Sequence, residues 1–215
     1  MAQTFVVVDD HESVLEGTCH VLQAQYPNAK ILTAGTADEV IPLVESASPV
    51  LMVMDLSIPE KLGEQSKTDT GLQLLRSLLE TYPKLNFVVQ SAHVRSLVRL
   101  KPIIDVHLAG FTIADKNLPS HEMLIKVDWA LKGLVYTPPE MRTGLEIKPE
   151  WLEMLQLAFT QGLTDKVIAE KMNVSERTVR HYWTRAQDAL EVYPSEGTNI
   201  RIQTYNMARE KGLFD

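Results

Sequence analysis

Apolar residues in the first part of this chain fall in short unbroken runs, Phe5 to Val8, Val50 to Met54 and Phe87 to Val89, and between the runs they recur every three or four positions. A run without polar alternation marks a strand buried on both faces, and such strands need helices between them. Strands are predicted at Thr4 to Val8, Ile31 to Thr33, Val50 to Met54, Phe87 to Gln90, and Val106 to Ala109 or slightly beyond. One helix is predicted over Glu12 to Gln25, with Val14, Leu15, Thr18, Val21 and Leu22 at helical spacing and Tyr26-Pro27-Asn28 as its stop. Others cover Ala37 to Ser46, Leu72 to Tyr82 and Ser120 to Lys132, and Val94 to Leu100 reads as a helix that Pro102 ends or kinks. These units define an α/β domain over residues 1–134, a doubly wound parallel sheet of five strands.

Around Tyr136-Thr-Pro-Pro-Glu140 the pattern breaks, and residues 135–147 read as a linker. Beyond it no strand-like run appears. Residues 148–215 form a small all-α domain with helices at Pro149 to Gln161, Asp165 to Met172, Ser175 to Leu190 and about Asn199 to Lys211. The middle pair is joined by so short a turn, Asn173-Val174, that it is a helix-turn-helix candidate.

Single polar residues stand just after the apolar runs: Asp9 and Asp10, Asp55, Ser91 and Lys116. In an open parallel sheet these positions share the carboxyl edge, the place where ligands bind. Three carboxylates, a hydroxyl and an ammonium suit a metal ion and a phosphoryl group. Phosphoryl transfer to a carboxylate needs a nucleophile held in line and positive charge near the equatorial oxygens. Asp55 is the expected nucleophile, and Lys116 and the Ser91 hydroxyl are the expected partners of the phosphoryl oxygens. Mg²⁺ takes carboxylate oxygens, waters and phosphate oxygens, so Asp10, Asp55 and the main-chain carbonyl of Ser57 are expected ligands, with Asp9 acting largely through water. The blander readings are that Asp9 and Asp10 cap the following helix and that His11 is a surface or capping residue. No organic cofactor site is expected.

Composition narrows the setting. An apolar share of 45% with 23% charged residues is that of a globular chain. No apolar run approaches the roughly 20 residues that span a bilayer. Met1-Ala-Gln-Thr4 leads directly into a strand without a basic region or cleavage signal, so a cytoplasmic protein without membrane association is expected. The single cysteine, Cys19, excludes an internal disulfide and reads as a packed thiol.

In that order and at those strand ends, Asp9-Asp10-His11, Asp55-x-x-x-Pro59, Ser91-Ala92 and Lys116 resemble the receiver signature of two-component response regulators. Ile168-Ala169, Val174-Ser175, Thr178-Val179-Arg180, Leu190-x-Val192, Arg201, Ala208 and Gly212-Leu213 resemble in register the helix-turn-helix domain of the LuxR, NarL and FixJ family. The resemblance implies a CheY-like, flavodoxin-like receiver followed by a DNA-binding domain. It implies that a sensor histidine kinase or a small acyl phosphate donates the phosphoryl group, that the chain forms homodimers on activation, and that it regulates transcription from double-stranded promoter DNA. Such a protein is not an enzyme beyond its own phosphoryl transfer and dephosphorylation. The resemblance also has Ser175 capping the recognition helix, Val179 packing inward, Arg177, Thr178, Arg180 and His181 facing DNA with Arg185 further along, and Thr164 and Lys166 near the backbone.

Departures from the family pattern accompany the match. Glu60 to Thr70 is longer than the usual connection and lies beside Asp55, as a flap would. Ile113 stands where an aromatic is usual, and Asn117 where proline is frequent. From Leu145 onwards nine Lys or Arg face eleven Asp or Glu, an acidic balance unlike that of a DNA binder. Arg177, Arg180, His181 and Arg185 nonetheless fall along the third helix of this domain, and over a Debye length of about 8 Å local sign outweighs net sign. The alternative is a receiver-like regulator that acts by protein contact through a helical domain that no longer binds DNA.

Overall fold

The computed structural model describes residues 3–92, 94–116, 119–137 and 147–214. The chain divides into two compact units, residues 1–141 and 142–215. The expected linker over 135–147 lies mostly outside the described residues, as does Asn117.

The first unit alternates strand and helix: β1 (Thr4–Val8), α1 (Glu12–Gln25), β2 (Lys30–Ala34), α2 (Ala37–Ala47), β3 (Leu51–Met54), α3 (Thr68–Thr81) and β4 (Asn86–Gln90). A 3₁₀ segment, Val94–Leu100, leads into the short helix α4 (Lys101–Ile104), followed by β5 (Phe111–Ala114), α5 (Ser120–Leu131) and β6 (Val135–Tyr136). The strands form one parallel sheet in the order β2-β1-β3-β4-β5-β6. Successive residues of each strand serve opposite faces, and both faces are covered. Phe5, Val7, Leu51 and Val53 pack with Leu22, Met123, Val127 and Ala130 of α1 and α5. Val6, Val8, Met52 and Met54 pack with Val40 and Val44 of α2 and Leu75 and Leu78 of α3. That two-sided burial is why the strands read as unbroken apolar runs.

Two elements differ from expectation. The fifth strand begins at Phe111, not Val106. Val106 and His107 turn back onto the end of α4, their amides donating to Ile103 and Ile104 carbonyls at 3.3 and 3.2 Å, and Val106 and Leu108 lie exposed. The apolar content of Val106-His-Leu-Ala109 resembles a strand, but only Phe111–Ala114 is buried between the two helical layers. The expected five strands are joined by a sixth, β6, paired to β5 through Phe111↔Val135 and Thr112↔Tyr136. It is too short for periodicity to reveal. The Lys126 ammonium lies 3.5 Å from the Tyr136 ring centroid and 4.1 Å from that of Trp129, a cation–π contact that holds β6 against α5. Pro102 stands in the first turn of α4, where a missing amide costs no helical hydrogen bond.

The second unit contains α6 (Pro149–Phe159), α7 (Asp165–Lys171), α8 (Glu176–Ala189) and α9 (Ile200–Glu210). Leu152, Met154, Leu155, Ile168, Ala169, Val179, Trp183, Ala186 and Ala208 are buried among them. Phe159 sits edge-on to Trp183 at 5.4 Å between centroids and touches the rings of Tyr205 and Phe214.

Close backbone approach requires glycine at position 71 in α3. A Cβ there would lie 2.0 Å from the Leu56 carbonyl oxygen, whereas one on Gly17, on the exposed side of α1, would meet nothing within 4 Å. Gly71→Ala is therefore expected to destabilise the first unit by about 3 kcal/mol, and Gly17→Ala to stabilise it by roughly 0.5–1 kcal/mol. Urea denaturation of the two variants checks both signs.

Candidate functional site

Strand order places the reversal of the sheet between β1 and β3, the switch point at which doubly wound sheets open a crevice. Asp9 and Asp10 follow β1, Asp55 follows β3, Ser91 follows β4, and Lys116 lies two residues past β5, so the topology delivers all five to one edge. Asp9 and Asp55 are each 4% exposed and Ser91 is fully buried, its amide donating to the Ala114 carbonyl at 3.1 Å.

The Lys116 ammonium donates to Asp9 Oδ2 at 2.7 Å and to Asp55 Oδ2 at 2.8 Å, joining two acids that are 46 positions apart in sequence. Burial pulls the Lys116 ammonium toward neutrality. The hydrogen bonds and negative charges of Asp55 and Asp9 oppose this and hold its pKa above the ordinary lysine value, so it stays charged. The other Asp55 oxygen, Oδ1, accepts the Leu56 amide at 2.7 Å, which fixes the carboxylate plane. Ser57 is half-buried two residues on.

Asp10 is held differently. Its Oδ2 accepts the Ser66 hydroxyl from the connection after β3. Its Oδ1 is buried, lies 2.7 Å from His11 Nδ1, and receives no aligned hydrogen bond. Asp9, Asp10 and His11 thus form an acidic cluster whose ligand atoms lie within 4.8 Å of one another, a donor set that can hold a metal ion. A buried carboxylate oxygen without an aligned hydrogen bond is the observation that fits a hard cation. His11, expected to be a surface or capping residue, is exposed beside this cluster, and its side chain makes no cap bond.

On the second unit, α7 and α8 are joined through Asn173, whose φ of +54° makes the tight turn. The Ser175 hydroxyl oxygen caps α8 by accepting the Thr178 amide at 3.1 Å. Val179, Trp183, Ala186 and Leu190 are buried, which leaves Arg177, Arg180, His181, Thr184 and Arg185 exposed on the other side of α8. Thr164 and Lys166, at the start of α7, are also exposed. Thr178 is half-buried with its hydroxyl 2.8 Å from that of Ser175, so of the expected contact residues it is drawn furthest into the cap.

Two features escaped the sequence pattern. Ser66 lay in a polar stretch with nothing to distinguish it. Asp165 read only as a helix start, yet it accepts Trp183 Nε1 at 3.0 Å and Arg201 Nη2 at 2.7 Å, while the Arg201 guanidinium stacks 4.3 Å from the Trp183 ring. Partial burial pushes the Asp165 pKa up, but the hydrogen bonds from Arg201 and Trp183 and the charges of Arg201 and Arg180 outweigh it and hold the carboxyl below its ordinary value.

Comparison with known proteins agrees with this arrangement. Residues 152–194 match the model for bacterial regulatory proteins of the luxR family. The transcriptional activator protein ExaE of Pseudomonas putida is 25% identical, with 97% of each chain covered. The DNA-binding transcriptional activator DevR/DosR of Mycobacterium tuberculosis is 25% identical over 86% of each. Among solved structures, the two-component response regulator RcsB in complex with DNA superposes with a TM-score of 0.58 at 20% identity, covering 97% of this chain and 98% of that one. A CheY-like receiver domain protein from Methanospirillum hungatei has a TM-score of 0.50 at 16% identity, covering 61% of this chain and 95% of that one. The fold is that of a CheY-like α/β unit followed by a helical unit, and residues 152–194 carry the likeness to the luxR family. Among the described residues no helix is long and apolar enough to cross a membrane.

A depressed carboxyl pKa stabilises the fold above the unfolded-state value near 4, and that contribution is lost as pH falls through the folded value. Asp165→Asn is expected to lower the stability of the second unit by about 1 kcal/mol at pH 7, a figure already discounted for the half-exposed Arg201. The difference from the unaltered protein should shrink toward zero by about pH 3. Urea titrations followed through tryptophan emission at the two pH values check it; a deficit independent of pH would contradict the assignment.

Proposed function

We propose that this protein switches transcription through phosphorylation of Asp55, with Mg²⁺ held by Asp10, Asp55 and the Ser57 carbonyl, and Asp9 acting through water. The observation that carries the reading is the Lys116 ammonium bonded to both Asp9 and Asp55 at the switch point of the sheet. An ammonium already placed at the nucleophile can turn to an oxygen of the incoming phosphoryl group without reorganising the edge. An Asp55 oxygen attacks phosphorus, the bond from phosphorus to the donor breaks, and its electron pair leaves with the donor, the phosphohistidine of a sensor kinase or a small acyl phosphate. Bound Mg²⁺ would supply positive charge to the phosphoryl oxygens and to the acids that otherwise repel them. The Ser91 hydroxyl, buried at the adjacent strand end, donates to a phosphoryl oxygen and so couples the modification to the β4 edge.

Ile113 is 4% exposed in the apolar core, and Phe111 is buried beside Phe87, so the neighbouring positions of β5 serve packing and not an aromatic readout at the surface. The switch in this chain acts through Ser91 and the elements around it.

The second unit binds promoter DNA as a homodimer through α8, with Arg177, Thr178, Arg180, His181 and Arg185 toward the major groove and Thr164 and Lys166 at the backbone. The exposed, cationic side of α8 supports this reading despite the acidic balance of the unit. Each helix-facing arginine that contacts phosphate releases counterions and steepens the salt dependence.

Titration of a promoter fragment at several salt concentrations tests the output. Binding should tighten after treatment with acetyl phosphate and Mg²⁺, and Arg180→Ala should weaken it by about 1 to 3 kcal/mol. A shallow salt slope with no effect of Arg180→Ala would favour regulation by protein contact instead.

A further inference from the structure

We infer that Ser66 is a positioning residue for Asp10, and that the long connection after β3 is a structural part of the metal-binding cluster. The inference rests on the reading of Asp9, Asp10 and Asp55 as a cation site.

The connection is built, not loose. Its near end is pinned to the start of α2, where the Ala37 and Asp38 amides donate to the Pro59 and Glu60 carbonyls at 3.0 and 3.1 Å. Its far end closes through the antiparallel Ile58↔Lys67 bridge, with the Lys67 amide on the Ile58 carbonyl at 3.1 Å. Between these anchors a turn forms at Lys61 to Glu64, with Gly63 at a φ of +88° and Leu62 fully outside. Closing the neck in this way brings Ser66 to Asp10, 56 positions away in sequence.

The three carboxylates divide by partner. Asp9 and Asp55 are each bonded to the Lys116 ammonium, which offsets their charge. Asp10 makes no bond to Lys116; its Oδ2 accepts a neutral hydroxyl, and its Oδ1 takes no aligned hydrogen bond and lies 2.7 Å from His11 Nδ1, itself one of the three donors of the cluster. A hydroxyl fixes the carboxylate's orientation without cancelling its charge, the property a metal ligand needs from its supporting partner. An ammonium or guanidinium in the place of Ser66 would compete with the cation. The serine therefore allows Asp10 to be both oriented and available.

Calorimetric titration of the full chain with Mn²⁺ alone tests this. Ser66→Ala is expected to bind Mn²⁺ about tenfold more weakly than the unaltered protein, while Ser66→Thr, which keeps the hydroxyl, stays close to it. Metal-free melting of Ser66→Ala should match the unaltered protein, since the loop retains its backbone anchors. Equal Mn²⁺ affinity in the unaltered protein and Ser66→Ala, or equal weakening in Ser66→Thr, overturns the role of Ser66. Absence of Mn²⁺ binding in the unaltered protein overturns the cation-site reading itself.

Discussion

Charge neutralisation at one edge of the sheet is the constraint around which the first unit is arranged. Parallel strands that end together bring Asp9, Asp10 and Asp55 into the same crevice, and like charges at such spacing oppose folding unless a cation answers them. Lys116 does so for two of the three, from a strand that is distant in sequence and separated from β1 by β3 and β4. The arrangement holds only if β5 keeps its register. That register in turn depends on Gly110, where a Cβ would lie 1.9 Å from the Ala130 carbonyl oxygen, and on the burial of Phe111 to Ala114 between α5 and the opposite helical layer. The site's electrostatics and the packing of the core are thus one requirement.

In the second unit the equivalent division is between an apolar side of α8 that locks the helix and a cationic side left to the solvent. Asp165, Arg201 and Trp183 tie the starts of α7 and α9 to the middle of α8. The large ring of Trp183 fills the space between these helices and gives Arg201 a face to stack on. The pairing also removes Asp165 and Arg201 from the exposed charge balance near Arg180. What remains outward on α8 is more basic than the unit as a whole.

Much of this was legible in the sequence because two-sided burial writes itself as unbroken apolar runs. The expected strands Thr4 to Val8, Val50 to Met54 and Phe87 to Gln90 lie within one residue of their observed bounds. The polar residues just beyond them could be assigned to one edge before any coordinates. Val106 to Ala109 misled because its composition is strand-like while its surroundings are not: an exposed turn and a buried strand can share residue types. β6 was missed because two residues carry no period. Ser66 and Asp165 were invisible for a different reason. Their importance lies in partners 56 and 36 positions away, and a hydroxyl in a polar loop or an acid at a helix start has an ordinary local explanation.

The central claim is that the edge holding Asp9, Asp55 and Lys116 accepts a phosphoryl group on Asp55. Intact mass after incubation with acetyl phosphate and Mg²⁺, with Asp55→Asn in parallel, tests it most directly. The account predicts the gain of one phosphoryl group by the unaltered protein and none by Asp55→Asn. An equal gain in both proteins would contradict it.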